Sequence, residues 1–106
     1  MAKFLFQGTY TAEGTKGLIK EGGTARKAAV TKAIEGLGGT LESIYYSFGA
    51  ADVIGVCDMP DTTSGLALSL AVNASGALRL STTPLVSVEE IDAACKKTVS
   101  YRPAGA

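Results

Sequence analysis

Two hydrophobic periods alternate along this chain, and their order restricts the fold more than any other feature. After its first residue, the run Lys3–Tyr10 repeats every two positions, with Phe4, Phe6, Gly8 and Tyr10 on one side and Leu5, Gln7 and Thr9 on the other. Aromatics at period two favour a strand, and Leu5 keeps its second side from being wholly polar. From Ala12 to Leu37 the period becomes helical. Gly14, Gly17, Gly22 and Gly23 weaken its first part, leaving a short helix around Ala12–Lys20. The following stretch is firmer: Val30, Ala33, Ile34 and Leu37 recur at i, i+3, i+4 and i+7, with Arg26, Lys27, Thr31, Lys32 and Glu35 on the wet side. Thr24 is its expected N-cap and Gly38-Gly39 its expected stop.

Leu41–Phe48 and Asp52–Met59 read as two further strands joined through Gly49-Ala50-Ala51. Loop length sets their register: a two-residue loop pairs Phe48 with Ala51, a three-residue loop pairs it with Asp52. Asp61 is the expected cap of a helix over Thr62–Ser75, and Gly76 stops it. In that helix Leu66, Ala67, Leu68, Leu70, Ala71 and Val72 occupy the whole circumference, so it needs cover on more than one side. In so short a chain, the second cover is expected from another subunit. Leu78–Val86 is a fourth strand in which Pro84 marks an edge or a bulge. Ser87-Val88-Glu89-Glu90 fits a capping box. It opens a short last helix with Val88, Ile91 and Cys95 on one face.

This order, β-α-β-β-α-β-α, predicts a ferredoxin-like α+β sandwich with helices on one face of a four-stranded sheet. The opposite face carries too many apolar and aromatic residues to stay in water. Laid against the same face of a second copy, it would form a dimeric α+β barrel. The expected organisation is one domain over residues 1–97 and an extended tail over 98–106, packed across the domain or a neighbour.

Composition then removes whole classes of function. The chain of 106 residues contains no His, and ten Lys and Arg balance ten Asp and Glu. Without His, the commonest general base and zinc ligand are missing, and neither a metal nor a cofactor is expected. A net charge of zero speaks against binding nucleic acid through a basic field. The longest apolar-leaning stretch, residues 65–72, falls far short of the ~20 residues that span a bilayer. The N-terminus lacks the apolar core of a signal peptide, so a cytoplasmic protein with no membrane partner is expected. Cys57 and Cys95 match no zinc or redox spacing and are expected as reduced, largely buried thiols.

Several runs, in order, carry a resemblance: KFLFQGTYTAEGTKGLIKEGG, TARKAAVTKAIEGLGG, YYSFGAADV with DMPD, SLAVNASGAL and KKTVSYRP. Together they resemble the GYD domain family over nearly the whole chain. The family is named for a Gly-Tyr-Asp run; here Gly49 and Asp52 flank Ala50-Ala51, and the tyrosine is absent. The resemblance implies a dimeric α/β-barrel fold and carries over no catalytic residue.

Two groups of residues are candidates for chemistry. Gly23, Thr24, Arg26 and Lys27 place free amides and two cations at a helix start, a combination that suits an anion; the plainer reading is a solvated helix end. Tyr45 and Tyr46, adjacent on a strand, send their rings to opposite faces. One is expected in the helix-covered core and the other in the cavity between sheets, where a phenol can orient or protonate a ligand. Gln7, Asp52 and Asn73 are possible polar companions, the plainer alternative being core packing and satisfaction of backbone groups. The resulting expectation is a homo-oligomer that binds a small, partly apolar or anionic ligand between sheets. A cofactor-free enzyme of the isomerase or oxygenase kind, using Tyr and Asp groups, and a structural or regulatory assembly module are the alternatives.

Overall fold

Burial along the first strand follows its sequence alternation. In the computed structural model, which describes residues 2–106, Phe4, Phe6 and Gly8 are buried along strand β1 (Ala2–Tyr10), while Leu5 and Gln7 are half-buried on its other side. The chain continues through α1 (Ala12–Glu21), α2 (Gly23–Gly36), β2 (Thr40–Tyr46), β3 (Val53–Met59), α3 (Thr62–Ala74), β4 (Leu78–Leu85) and α4 (Val88–Cys95). The sheet order is β2-β3-β1-β4, with every pair antiparallel. This is the ferredoxin-like α+β arrangement that the element order predicts. Pro84 lies on the edge strand β4, where one side of the backbone needs no ladder partner.

The first crossover holds two helices rather than one. Gly22, not Thr24, is the N-cap of α2, and no side chain caps that helix. The reason is conformational: Gly22 takes a φ of 83°, a left-handed value open to glycine, and turns the chain from α1 directly into α2. Gly38, also at φ 83°, closes α2 in a Schellman motif. Its N–H donates to Glu35 O at 2.9 Å, and that of Gly39 donates to Ile34 O at 3.0 Å. The other caps follow the sequence. Asp61 accepts from the Ser64 N–H at 2.8 Å, and Ser87 and Glu90 form the capping box of α4.

The hairpin takes neither expected register. Pairing stops at Tyr46 with Val53, the Ser47 N–H donates to Asp52 O at 2.9 Å, and Phe48–Ala51 form a four-residue loop. Asp52 is not free to pair with Phe48 because β1 holds it. Its N–H donates to Gly8 O, and its carboxylate accepts from the Tyr10 N–H, both at 2.8 Å. Phe48 adopts a φ of 51° and stacks on Tyr46, ring centroids 6.2 Å apart. An irregularity between Leu41 and Ser43 resets the alternation of β2. Tyr46 consequently aligns with buried Val53, and Tyr45 with Ile54 on the open face.

Phe4, Phe6, Ile34, Cys57, Met59 and Leu68 form the core. Burial pushes the Cys57 thiol up, which suppresses thiolate formation. Cys95, expected to be buried, is exposed, because no residue of α4 is buried in the protomer.

Candidate functional site

Two helices rest on different parts of the sheet: α2 on β2, and α3 on β4 and β3. Ala29, Val30 and Ala33 of α2 face Leu68 and Val72 of α3 across the space between them. Alanine side chains are too short to bridge such a space. A cavity of about 120 Å³ remains, floored by Phe6, Ile44, Val53 and Leu80. Its walls are largely apolar, and it opens to solvent past the exposed Ala29 and Ala33, so it can admit a small guest from outside.

One end of the cavity is polar. The hydroxyls of Tyr10 and Tyr46 lie 3.5 Å apart. Arg26 lines the same cavity, and its Nη1 is 3.5 Å from Glu21 Oε2. Burial pushes the Tyr10 phenol up to about 12; the hydrogen bond with Tyr46 adds to this, and the Arg26 guanidinium pulls the other way. A phenol with that pKa stays protonated at neutral pH, so it can donate a hydrogen bond to a ligand but is a poor base. An outer groove of about 400 Å³ between α1 and α3 shares Tyr10, Arg26, Ala33 and Leu68 with the cavity. Tyr10 and Arg26 therefore stand where the groove meets the cavity.

The structure separates the residues singled out from sequence. Tyr46 reaches the cavity, and Gly23 lies beside it, where a Cβ would be 3.6 Å from the Tyr46 ring. Arg26 reaches it too, whereas Thr24 and Lys27 are exposed and do not line it. Asp52 holds the backbone of Tyr10 rather than lining the cavity, and so positions that ring. Asn73 ties α3 to β4: its Oδ1 accepts from Leu80 N–H at 2.8 Å, and its Nδ2 donates to Leu80 O at 3.2 Å. Gln7 and Tyr45 lie outside this helix-covered cavity, on the open face where the sequence expectation put a cavity between two sheets. Sequence reasoning missed Tyr10 and the pair Ala29 and Ala33. Their signals were present, as the last aromatic of the β1 period and as two small residues four apart on a sheet-facing helix.

Among the described residues, no group of three or more His, Cys, Asp or Glu could hold a metal ion, and no helix is long and apolar enough to cross a membrane. No curated protein and no solved structure matches the chain. The family model described as the GYD domain matches residues 4–95, a span that begins in β1 and ends with the last residue of α4. The chain belongs to the GYD domain family.

Proposed function

We propose that this chain is a self-associating α+β-barrel protein that binds a small, largely apolar molecule with an anionic or hydrogen-bonding head. The ligand sits inside each protomer, between helices and sheet, rather than between two sheets. The observation that carries this reading is the gathering of Tyr10, Tyr46 and Arg26 at one end of an otherwise apolar cavity. Burying the apolar body of a ligand supplies affinity, while a few convergent polar groups fix its orientation. The protonated Tyr10 phenol favours binding over base catalysis. Self-association is supported by the open sheet face, where Leu5 pairs with Val56, and Tyr45 with Ile54, under no covering helix.

Native mass spectrometry of the protein purified from its own cells tests the ligand. The wild type is expected to retain a small molecule, and Ala29→Leu, which fills part of the cavity, is expected to release it while keeping the fold. Arg26→Gln should weaken binding of a small aromatic acid about tenfold, the scale of one lost charge-assisted hydrogen bond. A ligand-free wild type that gains no thermal stability from a panel of small aromatic acids and phenols would overturn the reading.

A further inference from the structure

The chain leaves the body of the protein after Leu85. Every residue from Val86 to Ala106 is exposed, α4 included. Val86, Val88, Ile91, Val99 and Tyr101 are between 51% and 76% exposed. The radius of gyration is 17.0 Å, against about 13 Å for a compact chain of this length, and the longest axis is 56 Å.

Such an arm is physically incomplete. A helix as short as the eight residues of α4 is marginal in water without a surface to pack on, and a capping box does not replace that surface. The protomer's own body provides little cover, for only the start of the arm, through Val86, Ser87 and Glu90, borders a groove beside Lys3 and Thr62. The same protomer also leaves apolar surface open elsewhere: Leu66 and Leu70 on the outside of α3 are 56% and 72% exposed. Each copy thus has one arm without a seat and apolar surface without cover, and a closed pair satisfies both in equal number. The size fits as well. An arm of roughly 20 residues is what one partner brings to an interface of standard area, roughly 800 Å² per side.

We propose that residues 86–106 form an exchange arm, with α4 and the tail of one protomer lying across a second copy of this chain that returns its own arm. This rests on the self-association in the proposed function and is independent of the ligand. The test uses the full chain carrying Val88→Asp and Ile91→Asp, whose parent side chains are exposed in the protomer, so the folded body should keep its circular dichroism. Sedimentation is expected to show the dissociation constant of the pair rising at least tenfold. An unchanged constant in a wild type that self-associates would overturn the arm and leave self-association standing; a wild type that is monomeric at every concentration would overturn both. A photo-crosslinking amino acid at position 91 gives a second reading. A two-chain product is expected, and adducts confined to a single chain would refute the exchange.

Discussion

The two sides of the sheet come from the same strands, and residues one step apart meet opposite surroundings. On the covered side Phe4, Phe6, Cys57 and Met59 are buried beneath α2 and α3. On the other side Leu5, Ile54 and Val56 shield one another only from within the sheet and remain half-buried, while Tyr45 is 71% exposed. At one corner of that side Lys3 Nζ lies 2.5 Å from Glu42 Oε2 and 3.1 Å from Asp58 Oδ1, a polar edge to an apolar middle. Protein interfaces have that distribution, dry at the centre and charged at the rim. A pleated strand has two characters, and the helices of this fold complete only one of them. The covered side holds a largely apolar cavity, the candidate binding site; the open side can be completed only by something outside the protomer.

The sharpest way to break this contrast is to damage each side separately. Ile34, on the sheet-facing side of α2, is fully buried, so Ile34→Ala should cost about 2–5 kcal/mol in urea unfolding, at any protein concentration. A loss below about 1 kcal/mol would mean that the covered side is not the tight core its burial indicates. Val56→Glu on the open side should behave differently. The protomer should still fold, while the dissociation constant of the pair rises by about ten- to a hundredfold, the scale of one large apolar side chain lost from a contact. Equal damage to folding and association would mean that the two faces are not separate in function.

How much of this contrast the sequence carries depends on range. Short-range chemistry was legible: Asp61, Ser87 and Gly38 sit at the helix ends where their capping chemistry places them. The strand–helix order was legible too, because burial follows the hydrophobic period. What escaped were outcomes decided by distant partners. Asp52 follows the hairpin in sequence, but β1 claims both its backbone and its carboxylate, and this sets a four-residue loop. For Asn73 the sequence left a pocket role and satisfaction of backbone groups both open, and only the position of β4 decides it, the backbone of Leu80 taking up the side chain. Cys95 has an apolar context that usually means burial, yet its helix has no surface to lie on within the protomer. Tyr46 and Arg26 were named for different sites, and only the packing of α2 over β2 brings them to one cavity.

The smallest expected effect probes the polar end of that cavity through pH. The ordinary phenol pKa is 10.0, and in the folded protein burial raises that of Tyr10 to about 12. A raised pKa means that the folded state holds the proton more tightly than the unfolded state. The associated stability is therefore fully present below about pH 10 and is lost as pH rises towards about 12. Lys3, whose pKa the Glu42 and Asp58 carboxylates also raise, loses its contribution on the same side of neutrality, so wild type alone cannot isolate the phenol. The difference between wild type and Tyr10→Phe can, because Lys3 and every other titrating group are common to both chains. Unfolding free energies from about pH 8 to about pH 12 should show wild type falling more steeply than Tyr10→Phe, with the divergence starting near pH 10. Parallel curves would mean that the Tyr10 hydroxyl is as well solvated folded as unfolded. The polar end of the cavity would then be open water rather than a seat for the head of a ligand.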